Sequence, residues 1–91
     1  MHWKLFANLA EVAGGKEVDL DLEAGATVDE ALSALFERHP ELESEVRENG
    51  DLADHIRLLV DGADPFEMAE GYETALDADA ELALFPPVSG G

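Results

Sequence analysis

The sequence predicts an α+β fold: a mixed sheet of four to five strands with one main helix packed on one face. Three observations lead there. Val18, Leu20 and Leu22 alternate with Glu17, Asp19, Asp21 and Glu23, the period of a strand with one face in a core. Val28, Ala31, Leu32, Leu35 and Phe36 fall at i, i+3, i+4, i+7 and i+8, the stripe of a helix that covers a surface on one side only. Residues 82–85 form a short apolar run closed by Pro86-Pro87, as a last buried strand would be. A length of 91 residues suffices for one domain.

Taken in order, residues 2–7 read as a first strand, with Trp3, Leu5 and Ala7 on one side and Lys4 and Phe6 on the other. Residues 8–13 carry Leu9, Val12 and Ala13 at helical spacing, one or two turns ended by Gly14-Gly15. Lys16 is not part of a phosphate loop, because the G-x-x-x-x-G-K-[ST] spacing is missing around it. The alternating strand, residues 17–23, follows so closely on the first that the two should pair antiparallel. Thr27-Val28-Asp29-Glu30 is a capping box for the main helix, and Asp29 and Glu30 suit the positive end of its dipole. Arg38 and His39 sit in the last turn and Pro40 ends the helix. Residues 41–49 predict a short helix carrying Leu42 and Val46, then a turn at Asn49-Gly50. Residues 54–61 contain a third strand with Ile56, Leu58 and Val60 on one face, followed by a hairpin-type turn at Asp61-Gly62. Residues 64–81 read as loop anchored by Met68, Tyr72 and Leu76, with a short extra strand near 72–75. The order β-β-α-β-(β)-β, with the last strand beside the first, is that of a β-grasp domain over residues 1–87. Residues 88–91 are expected to form a flexible tail.

Composition narrows the function classes. The chain has no cysteine, which excludes disulfides, a thiolate nucleophile and a cysteine-based metal site. Asp and Glu number 22 against five Lys and Arg, a formal charge of −17. Nucleic acid and anionic lipid both need a basic face, so neither is an expected partner. No stretch is apolar enough to span a bilayer, and the expectation is a cytoplasmic protein that is a monomer when free. Acidity this dense, with Lys4 and Lys16 as the only lysines, points to a salt-rich, halophilic cytosol. His2, His39 and His55 do not fall at metal-ligand spacing, and 77–81 lacks the glycine and the closing Glu of an EF-hand loop. No nucleophile–base pair can be assigned, so no catalytic residue, metal or bound cofactor is expected.

Two features remain. The tail Val88-Ser89-Gly90-Gly91 would reach about 13 Å when extended, and its two glycines let another protein's backbone close around it. It is either an acyl group offered to a partner's active site or a frayed terminus. Phe6, Leu59 and Phe85 each fall on the supposedly outer face of a predicted strand. They mark either a protein-docking patch on an acidic surface or a misread register.

The β-grasp order, the outward apolar residues and the ending Phe85-Pro86-Pro87-Val88-Ser89-Gly90-Gly91 together resemble the ubiquitin-like sulfur-carrier family. That family includes the small archaeal modifier proteins and the small subunit of molybdopterin synthase. Trp3-Lys4-Leu5-Phe6-Ala7, Leu9 and Glu11-Val12-Ala13-Gly14 are similar to the family's opening. The resemblance implies a protein modifier or sulfur carrier, not an enzyme. A partner related to ubiquitin-activating enzymes would use ATP and Mg²⁺ to adenylate the Gly91 carboxylate, next to Gly90. The acyl group would then pass to a target lysine as an isopeptide bond, or take sulfur as a thiocarboxylate for molybdopterin synthesis or tRNA thiolation. The resemblance also implies docking of the activating enzyme at Phe6, Leu59 and Phe85, molybdopterin synthase large subunit as a further partner, and Lys4 and Lys16 as amines open to modification. The alternative is a noncovalent β-grasp interaction module whose tail is incidental.

The charge balance carries a prediction of its own. Repulsion among carboxylates opposes folding in dilute buffer and is largely screened at 1 M salt, where the Debye length is about 3 Å. Circular dichroism melts should show a higher Tm in molar KCl than in dilute buffer, whereas equal values would show that the repulsion does not limit stability.

Overall fold

Burial alternates along the first strand: Trp3 and Leu5 are enclosed while His2 and Lys4 face outward. This alternation sets the layers. The computed structural model describes residues 1–86. They run β1 (His2–Leu5), α1 (Asn8–Ala13), β2 (Glu17–Asp19), α2 (Val28–Arg38), α3 (Pro40–Val46), β3 (Arg47–Glu48), β4 (Asp51–Leu52), β5 (Arg57–Val60), α4 (Pro65–Met68), a 3-10 turn (Gly71–Glu73) and β6 (Glu81–Phe85). The main sheet has the order β2-β1-β6-β5. β1 and β6 are parallel, in register from His2 opposite Glu81 to Leu5 opposite Leu84. β2 and β5 flank them antiparallel. This is the mixed four-stranded β-grasp sheet.

The predicted α2 stripe is the one that is buried: Val28, Ala31, Leu32, Leu35 and Phe36 all pack into the core. Opposite them lie Trp3, Leu5, Val18, Leu58, Leu82 and Leu84 from the four strands. The Trp3 indole N–H donates to the Ala31 carbonyl at 3.3 Å, so the largest core side chain has its polar atom satisfied. The capping box forms, with the Glu30 amide donating to Thr27 Oγ1 at 3.2 Å and the Thr27 amide to Glu30 Oε1 at 2.9 Å. Arg47 lies 5.2 Å over the Phe36 ring and 3.0 Å from Asp29, tying the end of α3 to α2.

Several local expectations are corrected. β2 covers residues 17–19, not 17–23, because its last backbone bond to the neighbouring strand runs from the Leu20 amide to the Met1 oxygen. Pro40 ends α2 but also opens α3 as its first residue, where a missing N–H costs nothing. The segment read as residues 41–49 is helical only to Val46. It then forms the β3–β4 ribbon across Asn49-Gly50, whose φ values of 55° and 87° suit a type I′ turn. Asp61-Gly62, at 48° and 85°, makes the same kind of turn after β5. The third strand expected within 54–61 is Arg57–Val60. No ladder forms near 72–75. Tyr72 sits in the 3-10 turn and accepts the Leu52 amide at 2.8 Å, and Ala75 bridges Thr27 ahead of α2.

Ala7, expected on the core side of the first strand, instead follows it in the open. It turns the chain from β1 into α1 at φ 53°, ψ −132°, with the Leu9 amide bonded to the Phe6 oxygen. These angles are those of a turn position normally filled by glycine, and a Cβ there is strained by about 1–3 kcal/mol. Ala7→Gly should therefore raise stability by about 1 kcal/mol after its entropic cost. A urea titration giving an unchanged or lower midpoint would contradict the strain.

Candidate functional site

The register fixes which side chains share the outer face of the sheet. Lys4, Ala83 and Leu59 lie opposite one another across β1, β6 and β5, and Phe85 lies opposite Arg57. Phe6 stands one residue past β1 on the same side, 46% exposed. Its ring meets that of Phe85 edge to face, 5.9 Å between centroids. Small Ala83 leaves a floor between the aromatic pair and Leu59. The result is a shallow groove of about 450 Å³ lined by Phe6, Ala7, Leu59, Ala83, Phe85 and Pro86. None of these side chains titrates or donates a hydrogen bond, so the groove can hold an apolar partner group but can do no chemistry on it.

The structure thus brings together the three residues singled out by strand parity, Phe6, Leu59 and Phe85. Ala7, Ala83 and Pro86 were not anticipated. Ala7 was placed inward, while the parity that exposes Phe85 also exposes Ala83. Pro86 is the last described residue and lies at the groove's edge. Gly90 and Gly91, with the rest of 87–91, lie outside the described residues. The two lysines lie near one another, around a hollow lined by Lys4, Leu5, Phe6, Lys16 and Glu17. The three histidines are not assembled: His2 is on the outer sheet face, and His39 is 3.8 Å from Glu41 between α2 and α3. Among the described residues no helix is long and apolar enough to cross a membrane.

A β-grasp sheet with an apolar groove beside its last strand is the architecture of a ubiquitin-like protein, and the comparisons agree. The chain matches the ThiS family over residues 3–91 and belongs to it. It is 54% identical to small archaeal modifier protein 1 of Haloferax volcanii over 92 residues, covering 100% of both chains. It superposes on the crystal structure of SAMP1 from Haloferax volcanii with a TM-score of 0.85 and 52% identity, covering 99% of this chain and 97% of that one. A chain of the Amycolatopsis orientalis BexX/CysO complex matches with a TM-score of 0.82 and 25% identity, over 99% and 98% of the two chains.

The other end of the outer face is charged. The His2 ring reaches Asp19 through Nδ1 and Glu17 through Nε2, the latter at 2.6 Å. Both ring nitrogens can donate only when the imidazole is protonated. The hydrogen bond to Asp19 raises the His2 pKa above its ordinary value, burial opposes it, and the bond to Glu17 adds to the rise. The same bond holds the Asp19 carboxyl below its ordinary value. The stabilisation from a raised histidine is fully present below about pH 6.5 and fades as pH climbs through the folded-state value. The Asp19 contribution is present above the ordinary aspartate value and fades as pH falls through the lowered one. Between those limits wild type should melt above His2→Gln, with the gap closing in alkaline buffer. A gap that stays constant to alkaline pH would show that His2 acts by packing and not by charge.

Proposed function

We propose that the chain is a ubiquitin-like protein modifier and sulfur carrier, acting through the carboxyl carbon of Gly91. The observation that carries this reading is the apolar groove built where β6 ends, with Phe85 and Pro86 in its lining. The sequence continues from there as Pro87-Val88-Ser89-Gly90-Gly91. A partner that buries Phe6, Leu59 and Phe85 thereby holds the segment that leads, in the sequence, to the terminal glycines. Docking and reaction use separate parts of one short path.

On this reading the activating partner binds ATP and Mg²⁺ and supplies the catalytic side chains. The Gly91 carboxylate attacks the α-phosphate, pyrophosphate leaves, and an acyl adenylate results. A lysine amine then displaces AMP to give an isopeptide bond, or a sulfur donor does so to give a thiocarboxylate. The name of the Haloferax volcanii relative, a modifier protein, supports the first branch. The BexX/CysO complex supports docking of a similar fold on a partner protein. Transfer of sulfur from this chain toward molybdopterin or tRNA, with molybdopterin synthase large subunit as a partner protein, belongs to the second branch. The protein is a carrier that enzymes act on, not itself a catalyst.

Two variants separate docking from chemistry. Phe6→Asp places a charge on a half-exposed ring position and should keep the fold, at a cost of about 1 kcal/mol for the lost ring contact with Phe85. It should weaken binding to the activating enzyme by at least about tenfold, the equivalent of ~1.4 kcal/mol at an interface hot spot. Binding of Phe6→Asp equal to wild type in calorimetry would remove the groove from the interface. Deletion of Gly91 should preserve docking and abolish every adduct and thiocarboxylate. Adducts that survive the deletion would refute an acyl role for Gly91.

A further inference from the structure

Among the described residues two large apolar side chains stand well exposed: Phe6 in the groove, and Phe66 on α4, 42% exposed. Phe66 does not line the groove, yet it is held in place as firmly. Pro65 and the Asp64 carboxylate, which accepts the Phe66 amide at 2.8 Å, fix its main chain. The Tyr72 ring meets it edge to face, 4.9 Å between centroids. Gly71, at φ 61°, lets the ring close down, since a Cβ there would come 3.1 Å from Phe66 Cδ1. Tyr72 is fixed in turn by its hydroxyl, which accepts the Leu52 amide at 2.8 Å. An exposed ring so preorganised loses little freedom when a partner covers it.

The ground around this ring is anionic. The sequence from Asp61 to Glu81 has no Lys, Arg or His. Arg57 lies 3.8 Å from Asp64, and Lys4 lies 3.2 Å from Glu81. Glu67, Glu70 and Glu73 have no ion pair among the described residues. Tyr72 also lines a hollow of about 440 Å³ whose charged side chains are Asp29, Glu30, Asp51 and Glu73. Asp29 is paired with Arg47, and Glu30 accepts the Thr27 amide. Asp51 and Glu73 are left without a cation. An apolar platform and an anionic hollow thus meet at one ring, that of Tyr72. A solvated acidic surface accounts for the carboxylates but not for a fixed phenyl ring among them.

Charge selects the occupant. An acidic protein is repelled, and a second copy of this chain, at −17, is among the worst candidates. A wholly apolar surface would desolvate Asp51 and Glu73 without pairing them. A lysine or arginine meets both demands, because its alkyl stem lies on apolar surface while its head pairs with a carboxylate or sits over an aromatic face. We infer that this face docks a basic, apolar segment of another protein. One apolar side chain covers the Phe66 ring, and an adjacent lysine or arginine enters the Tyr72 hollow toward Asp51 and Glu73. None of these residues lines the groove or belongs to the tail, so the face can be occupied while the groove is engaged.

The test uses the full chain, isotopically labelled, in KCl of fixed concentration. The probe is a short synthetic peptide of leucine, lysine and serine. Two controls replace its lysines by glutamate or its leucines by serine. The lysine–leucine peptide should shift the amide resonances of Phe66, Glu67, Gly71 and Glu73 and leave those of Phe6 and Leu59 in place. Both controls should bind at least about tenfold more weakly, as should the lysine–leucine peptide to Phe66→Ala. A second variant, Asp51→Asn with Glu73→Gln, keeps side-chain volume and should lower affinity several-fold even if Phe66→Ala folds poorly. Shifts spread evenly over the acidic surface, or centred on Phe6 and Leu59, would overturn the assignment. So would a glutamate peptide that binds as well, or affinity unchanged in the second variant. Self-association in sedimentation that is lost in Phe66→Ala would also overturn it, making the occupant a second copy. Each of these outcomes leaves the acyl role of Gly91 as it stands.

Discussion

The parallel pairing of β1 with β6 is the constraint on which the rest of the molecule depends. It joins residues about as far apart in the chain as the fold allows, His2 with Glu81 and Leu5 with Leu84. Closing so long a loop costs entropy before any contact offsets it. The compensation comes from the core side of the same pair, where Trp3, Leu5, Leu82 and Leu84 are all enclosed beneath α2. Because side chains alternate, that burial obliges Lys4, Ala83 and Phe85 to face the other way, with Phe6 just beyond the strand. The groove is thus a consequence of how the core is filled.

The outer face grades from charged to apolar along the strands. At the start of β1, His2 links Glu17 and Asp19 on a crowded acidic edge. At the other end, Phe6 and Phe85 meet ring to ring with Leu59 and Ala83 beside them. On a surface with 22 acidic residues, an uncharged groove is a distinct mark for a partner to recognise. On the proposed reading, recognition resides in the sheet, while the group transferred is the main-chain carboxyl at the end of the sequence.

The parts of this fold that were legible in the sequence were those set by strong periodicity or by local turn chemistry. The α2 stripe and its capping box appear as read, and both Asn49-Gly50 and Asp61-Gly62 turn with positive φ. The β3–β4 ribbon was not legible, since strands of two residues are too short to show a period. Tyr72 carries strand propensity, yet its hydroxyl accepts the Leu52 amide and its ring packs on Phe66, contacts that only the assembled chain creates. Ala7 misled for a similar reason: its alternation continues the strand, but Phe6 begins a turn. Strand parity found Phe6, Leu59 and Phe85. The bond network of His2 could not be read, because it depends on the exact register of β1 against β2.

The central claim is that the sheet presents a groove so that partners can act on the Gly91 carboxyl. The most direct test is mass spectrometry of the C-terminus of the protein and its adducts from native cells, after cleavage following Glu81. The account predicts branched peptides carrying residues 82–91 on target lysines, a free chain with one oxygen of Gly91 exchanged for sulfur, or both. A plain carboxylate under every growth condition, including oxidative stress and sulfur limitation, would contradict it and leave a noncovalent interaction module.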